Sequence, residues 1–333
     1  MVSALRWSRF PVFHLTMPQR MHFAIALAAC LIGAGCSLKK FAINKVGDAL
    51  STGPSVYETD EDIELVGSAL PFGLKFIETL LAESPKHRGL LLTAGRGFVL
   101  YSFAYVDWEA EVAEDEDLDR ARALRGRARR LYLRAFRYGV RGLEVSYPEF
   151  GARLASDPEV AVSVVDNRKK KRQDVPLLYW TAASLGLAIS VSRNDAAMLA
   201  RLPEVEALLN RAMELDESWD DGALHEFAIQ LASTKPAAPD YDAMRRHYNS
   251  AVRLSGGKSA SVHLGYAEAV SVPRQDRAEF TSLVNKAVAV DPDEAPENRL
   301  VNLLAHRRAQ RLLERIDDLI LEDELQGPTG DSQ

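Results

Sequence analysis

A helix of one design recurs along the chain, and this recurrence constrains the fold more than any other feature. Its apolar residues stand at i, i+3, i+4, i+7 and i+8, as they do from Val205 to Met213, which places them on one face of an α-helix. Further copies begin at Gly73, Met244 and Phe280, and the last three starts are 39 and 36 residues apart. A polar turn follows each copy.

A second helix is predicted after each of these turns. The four segments are Arg88 to Val106, Gly222 to Ser233, Ser261 to Val270, and Arg299 to Ile320. Paired helices with a period in the mid-thirties are typical of tetratricopeptide-like arrays. Because one pair cannot bury its apolar face alone, successive pairs stack into a solenoid. We therefore predict an all-α fold, with tetratricopeptide-like helix pairs packed into a compact helical solenoid over residues 61–322.

Less regular segments lie between the copies. Long helices are predicted from Ala121 to Glu144 and from Leu177 to Val191. The β-branched segment from Val160 to Val165 is compatible with a short strand, but no partner strand is evident, so we interpret it as a helix or a buried connector. Ser84 and Asp291 each precede a proline, which suits a helix N-cap followed by proline at the first helical position.

The N-terminus has the pattern of a bacterial export signal. Arg20 precedes an apolar run from Phe23 to Ile32, which is far shorter than the ~20 residues that span a bilayer. Small residues then lead to Cys36, as in a lipobox, although Gly33 stands where the usual lipobox has leucine. We predict a lipoprotein signal peptide over residues 1–35 and lipidation of Cys36. The alternative is a buried N-terminal helix.

The predicted processing defines the remaining organisation of the chain. A lipidated tether would span residues 36–60, and a flexible tail residues 323–333. Ser37 follows the cysteine instead of the aspartate that retains lipoproteins in the inner membrane, so we expect an outer-membrane protein that faces the periplasm. Beyond Cys30 and Cys36 the chain has no cysteine, so the mature domain can form neither a disulfide framework nor a cysteine zinc site.

The sequence shows no arrangement typical of catalysis, so we predict no enzyme, no catalytic residue, no cofactor and no metal site. His225-Glu226 begins like a zinc-protease motif, but Ile229 stands where the second histidine is needed. The basic run from Arg168 to Arg172 is interpreted as a solvated loop, with an acidic partner or anionic lipid headgroups as the alternative. It lacks aromatics, and the net charge is −6, so nucleic acid is not expected.

Aromatic residues provide the candidates for ligand binding. At helical spacing such residues usually belong to the core, but some are expected to line a concave face or pocket, where solenoids bind their ligands. The candidate ligand-binding residues are Tyr101, Tyr105, Tyr179, Trp180, Trp219, His225 and Tyr266. His225 and His263 stand at similar points of neighbouring repeats, so packing within the repeat is the alternative role for both.

Several stretches together carry a family resemblance. They are Ala128 to Ala135, Leu178 to Trp180, Leu202 to Val205 with Arg211 to Glu217, Gly222 to His225, Tyr266 to Glu268, Gln275 to Phe280, Arg307 to Ala309, and Leu312-Leu313. With these motifs the chain resembles the TatT family, the T-component lipoproteins associated with tripartite ATP-independent periplasmic (TRAP) transporters. The likeness covers roughly residues 36 to 320, and none of the motifs is a catalytic signature.

The resemblance implies a set of functional expectations. Members of the family are all-α with degenerate tetratricopeptide-like motifs, and the chain is similar to a protein that forms a homotrimer with a central pore. The implied partner is a periplasmic solute-binding protein, with which a small, hydrophobic ligand would be exchanged. The alternative is a general scaffold lipoprotein of the cell envelope that has the same repeats and no small-molecule ligand.

Overall fold

The computed structural model describes residues 39–52, 55–166, 174–235 and 237–321. The predicted signal peptide, Cys36, the basic run 168–172 and the tail 323–333 lie outside these ranges. No strand occurs in the part of the chain that is described, so the prediction of an all-helical fold is confirmed, and the segment 160–165 begins within a helix instead of a strand.

The helices are numbered in chain order. They are α1 (residues 39–51), α2 (Ile63–Glu83), α3 (Arg88–Tyr101), α4 (Trp108–Ala113), α5 (Leu118–Glu144), α6 (Phe150–Ser156), α7 (Pro158–Ser163), α8 (Asp174–Ser190), α9 (Ala196–Leu199), α10 (Leu202–Asp216), α11 (Ala223–Thr234), α12 (Tyr241–Leu254), α13 (Ala260–Tyr266), α14 (Arg277–Val288), α15 (Arg299–Glu314) and α16 (Ile316–Leu319). Two π-helical segments, Ser102–Asp107 and Ala267–Ser271, extend α3 and α13.

The predicted helix pairs are present in the structure. They are α2 with α3, α10 with α11, α12 with α13, and α14 with α15, and the two helices of each pair are in contact. Their assignment to the tetratricopeptide class stays a prediction. Most of the predicted apolar faces are buried, but Phe76 and Val288 are 44% and 49% exposed, so the face of the first copy and the end of the last copy are only partly covered.

The largest apolar core forms where α5 packs against α3 and α8, and α8 against α10. Small residues allow these helices to approach closely. A Cβ on Gly95 of α3 would contact the Ala135 carbonyl oxygen at 3.6 Å, and a Cβ on Gly139 would lie only 3.1 Å from Thr181 Cβ and 3.2 Å from Thr181 Cα. Gly95 of α3 and Gly139 of α5 are therefore packing residues.

The last long helix returns to the start of the domain. The Leu300 amide donates to the Glu58 carbonyl at 3.0 Å, and the Arg307 guanidinium donates to the Ala104 carbonyl at 2.7 Å. Helix α15 also contacts α2. The end of the described chain therefore packs against the beginning of the domain. The residues of α3, α8 and α11 that face the interior are surrounded by protein from several elements.

One of the two predicted N-caps is corrected by the structure. Ser84 ends α2 instead of capping α3. His87 caps α3, because its Nδ1 accepts from the Leu90 amide at 3.2 Å. Asp291 is an N-cap as predicted, with Pro292 at the start of the 3-10 turn Pro292–Glu294. The segment predicted as a tether contains α1, where the Asn44 side chain accepts a hydrogen bond from Ser84 at 2.7 Å.

Two stretches of the described helices, Ile63–Glu83 and Arg88–Ala113, are long and apolar enough to cross a membrane by length and composition alone. Core helices of globular proteins meet the same criteria. The second stretch supplies Leu90, Phe98 and Val106 to the apolar cores described above, which accounts for its composition through packing.

Candidate functional site

The turn between α10 and α11 has an unusual backbone. Asp220, Asp221 and Gly222 have φ angles of 51°, 52° and 95°, which lie in the left-handed region that glycine adopts freely and aspartate tolerates. Gly222 is required there, because a Cβ would meet Ala251 Cα on α12 at 3.0 Å. Each strained non-glycine residue costs about 1–3 kcal/mol. The strained turn fixes the positions of Trp219 and Asp220.

An aromatic cluster forms around Tyr179 of α8. Its ring centroid lies 5.0 Å from that of Trp180, 4.8 Å from that of Trp219 and 6.0 Å from that of Phe227. Gly186, two helical turns beyond Tyr179, leaves room for the Phe227 ring, which would lie 3.1 Å from an added Cβ. These distances fall in the range of favourable aromatic pairs, so α8, the strained turn and α11 are joined by one group of rings.

An ion pair borders this cluster. The Arg96 guanidinium of α3 pairs with the buried Glu58 carboxylate, and its Cζ lies 5.7 Å from the centroid of the Trp180 ring. Burial raises the pKa of Glu58, although the charge of Arg96 opposes that rise. Arg96 is therefore engaged both by a carboxylate and by an aromatic face.

Two further carboxyl groups, Asp220 and Glu226, lie beside the rings without a basic partner. Neither group forms an ion pair within the described residues. Glu226 accepts one hydrogen bond, from the Ser261 hydroxyl at 3.0 Å. Burial raises the pKa of Glu226 to about 7, with the charge of Asp220 adding to the rise. Burial likewise raises the pKa of Asp220, against the opposing charge of Arg96.

Protein surrounds the two unpaired carboxyl groups, but solvent still reaches them. Protein surrounds Asp220 and Glu226 closely enough for burial to dominate their pKa values, yet Asp220 is exposed and Glu226 keeps part of its surface accessible. Both carboxyl groups therefore lie in protein surroundings that solvent still reaches. We name this group of side chains the aromatic–acidic recess; it comprises Tyr179, Trp180, Trp219, Phe227, Asp220 and Glu226, with the Glu58–Arg96 ion pair and Ser261 at its border.

The Tyr179 hydroxyl has unused hydrogen-bonding capacity inside this recess. Burial is the main cause that raises its pKa, and the charges of Glu226 and Asp220 raise it further. The hydroxyl therefore lies near both carboxyl groups, but it makes no hydrogen bond with them or with any other described residue.

The sequence-predicted candidates fall into three places. Tyr179, Trp180 and Trp219 come together in the recess. Tyr101 and Tyr105 instead stack on each other at 5.9 Å near α2, and the Tyr105 hydroxyl donates to the Ile63 carbonyl at 2.9 Å.

The remaining two candidates, His225 and Tyr266, lie away from the recess rings. His225 Nδ1 contacts His247 Nδ1 of α12 at 2.8 Å. Tyr266 is 1% exposed and packs on Tyr248 with ring centroids 4.6 Å apart, so it lies inside the C-terminal core. The Nδ1 atom of His263 lies 2.8 Å from the Tyr248 hydroxyl oxygen, so His263 belongs to the same group of packed side chains.

Sequence reasoning did not single out the polar residues of the recess. Glu58, Arg96, Asp220, Glu226 and Ser261 come from five different elements. Two local signals were available: an Asp-Asp-Gly run directly after a tryptophan, and a glutamate between the apolar residues of α11. Neither signal says which other elements would face it.

The arrangement is suited to binding. It combines aromatic faces and carboxyl groups with the hydroxyls of Tyr179 and Ser261, the second of which donates to Glu226. No group of three or more His, Cys, Asp or Glu side chains is placed to hold a metal ion in the described part of the chain.

Comparison with known proteins agrees with a transport-associated role. A curated relative from Treponema pallidum (strain Nichols), named only as an uncharacterized protein, is 29% identical over 313 residues, which is 89% of this chain and 97% of the relative. The family model described as "TRAP transporter T-component" matches residues 59–320. This match includes every element that lines the recess except the loop residue Glu58. The chain belongs to the TRAP transporter T-component family.

Proposed function

We propose that this protein is a lipid-anchored, periplasm-facing subunit of a TRAP-type transport system, where it pairs with a periplasmic solute-binding protein and holds a small ligand. One observation carries the ligand-handling part: four aromatic rings cluster around Tyr179, beside two carboxyl groups that form no ion pair among the described residues and that solvent still reaches. The membership of the family supports the association with a transporter.

The recess is built in a way that suits transient binding. Its walls come from α3, α8, α11 and the turn at Trp219–Gly222, and α3, α8 and α11 all contribute side chains to the large core. Such a site is pre-organised, so a ligand does not have to order the walls itself. A subunit that passes a ligand to a partner needs a site that persists when it is empty.

The anchor and the assembly complete the proposal. Acylation of Cys36 would attach the chain to the outer membrane only three residues before α1 begins in the described structure. Three copies would form a homotrimer, and the helix pairs would belong to the tetratricopeptide-like class. A solute-binding protein would dock on this assembly and exchange the ligand with the recess.

The decisive experiment is a capture from a periplasmic extract. The full chain with a C-terminal tag is purified from membranes in a non-ionic detergent, and its Cys36→Ala variant is purified from the soluble fraction. Both are incubated with the extract, the retained proteins are identified by mass spectrometry, and the mass of each bait is measured by light scattering. We expect a trimer that retains a solute-binding protein.

Each part of the proposal has its own contrary result. A monomer that retains only cell-wall or outer-membrane proteins would favour the scaffold function. A Cys36→Ala variant that still sediments with membranes would contradict the lipid anchor. Retention of a solute-binding protein by both baits would show that pairing does not require the lipid.

A further inference from the structure

The charges of the aromatic–acidic recess do not balance. Three carboxyl groups, Glu58, Asp220 and Glu226, lie around it, and the charge of Arg96 acts on Glu58 and Asp220. Arg96 is already paired with Glu58. The other two carboxyl groups form no ion pair among the described residues. Burying a charged carboxylate without a partner is costly, and this cost applies to the partly buried Glu226 more than to the exposed Asp220.

The rings around these carboxyl groups supply a second kind of attraction. Indole and phenol faces carry negative electrostatic potential and attract cations, with about 0.5–2 kcal/mol for each contact. The structure already shows this property, because the Arg96 guanidinium lies 5.7 Å from the Trp180 ring. Trp219 and Tyr179 stand at 4.8 Å from each other beside Asp220, so aromatic faces and an unpaired carboxyl group occur together.

We propose that the recess binds a small organic cation, an amine or ammonium group attached to an apolar body. The inference rests on the ligand-handling role proposed above and adds the chemical class of the ligand. The ammonium group would be placed between Asp220 and Glu226, within reach of the free Tyr179 hydroxyl. The apolar body would lie against Trp180, Trp219 and Phe227.

Other ligand classes fit the same surroundings less well. A purely hydrophobic molecule would remove water from Asp220 and Glu226 and provide no hydrogen bond in return, which is unfavourable. An anion would approach two unpaired carboxyl groups, and Arg96 is not free to receive it. Inorganic cations prefer several oxygen ligands, whereas the recess offers rings over much of its wall. The raised pKa of Glu226 agrees with a missing positive charge nearby.

The test compares three probes of nearly equal shape. The full chain, purified from membranes in a non-ionic detergent, is titrated by calorimetry with phenethylamine, 2-phenylethanol and 3-phenylpropionate at about pH 8, where free carboxylates are ionised. We expect the amine to bind at least about tenfold more tightly than the alcohol, and the carboxylate probe to show no binding. Tryptophan fluorescence, to which Trp180 and Trp219 contribute, should change with the amine.

Two isosteric variants locate the interaction. Glu226→Gln and Asp220→Asn each remove one charge, and asparagine tolerates the left-handed backbone that Asp220 adopts. Each variant should weaken amine binding about tenfold and leave binding of the alcohol unchanged. The matched control is Glu149→Gln, which removes an exposed carboxylate at another left-handed position and should bind like the wild type. Circular dichroism confirms that all three variants are folded.

The results separate this inference from the proposed function. Equal or tighter binding of the alcohol or the carboxylate probe, no detectable binding of the amine, or unchanged affinity in both recess variants would each overturn the proposal of a cationic ligand. None of these results would affect the capture of a solute-binding protein. Conversely, amine selectivity without any captured partner would leave the ligand class standing and contradict the pairing.

Discussion

The Nδ1 atoms of His225 and His247 lie 2.8 Å apart, across the contact between α11 and α12. Such a contact is a hydrogen bond only when one nitrogen carries a proton and the other does not. If both imidazoles were fully protonated, two N–H groups and two positive charges would face each other. The pair therefore requires at least one neutral histidine, and burial lowers the pKa of both residues.

Acidification should consequently destabilise the contact of α11 with α12. The pKa values in the folded protein lie below the usual histidine value, so the stabilising contribution is present above about pH 6.5 and is lost as the pH falls through the folded pKa values. We predict a lower melting temperature at about pH 5.5 than at pH 7.5. His247→Gln keeps a hydrogen-bonding side chain and should show a smaller drop, whereas His306→Gln should drop like the wild type.

A second prediction concerns Glu226, whose pKa burial raises to about 7. Between the pKa of the unfolded chain, 4.5, and about 7, the folded protein binds more protons than the unfolded one, so stability falls as the pH rises through this window. Glu226→Gln removes the cost of burying the charge. Its free energy of unfolding at about pH 8 should exceed that of the wild type by roughly 1–3 kcal/mol, since Glu226 keeps partial exposure.

Urea denaturation at two pH values measures this effect. At about pH 4 the wild-type carboxyl is protonated, so the two proteins should have nearly the same stability. Glu226→Gln that is less stable than the wild type at pH 8 would mean that the carboxylate has a stabilising partner. In that case the charge deficit assigned to the recess would be wrong.

The helices of this protein could be predicted from its sequence, because the information that specifies them is local. The apolar positions of Val205, Leu208 and Ala212 identify a buried helix face without reference to any other element, and all three are fully buried. Helix α7 shows that amino-acid composition alone does not predict the secondary structure. Its β-branched residues suggest a strand, but Asp157 caps the helix by accepting from the Val160 amide at 3.2 Å.

The candidate site could be predicted only in part. Tyr179 and Trp180 are neighbours in the sequence, and their selection required no knowledge of packing. Nothing in the local sequence shows that the Arg96 guanidinium lies over the Trp180 ring across the contact of α3 with α8. The conformation of Asp220 likewise depends on α12, which leaves room only for a glycine at position 222.

A third prediction concerns Arg308, which joins the two ends of the domain. Its guanidinium contacts both oxygens of Glu268 at 3.0 and 2.7 Å and one oxygen of Glu111 at 2.8 Å. The charges of Glu268 and Glu111 hold the pKa of Arg308 well above its usual value. Lysine cannot reproduce a bidentate contact together with a third bond.

We expect Arg308→Lys to lower the free energy of unfolding by about 1–3 kcal/mol. The control is Arg246→Lys, because Arg246 is largely exposed and lies 4.0 Å from Asp240; a pair of this kind contributes about 0–1 kcal/mol. Equal stability of the two variants in urea denaturation would mean that the ion-pair network does not hold α15 against α4.

The last prediction tests the close approach of α5 to α8. Alanine favours a helix over glycine by about 1 kcal/mol, so Gly→Ala within α5 stabilises the protein wherever there is space. At Gly126 an added Cβ would meet only the end of the Arg130 side chain, at 3.7 Å. At Gly139 it would lie 3.2 Å from Thr181 Cα, and the backbone of α8 cannot move aside without loosening the central core.

The two substitutions should therefore have opposite signs. Gly126→Ala is expected to raise the free energy of unfolding by about 0.5–1 kcal/mol, and Gly139→Ala to lower it by about 1–3 kcal/mol, because overpacking outweighs the gain in helix propensity. Denaturant melts of both variants measure the difference. A stabilised Gly139→Ala variant would show that α5 and α8 can separate at little cost. Helix α8, which carries Tyr179 and Trp180, would then be held less rigidly than its close packing against α5 implies.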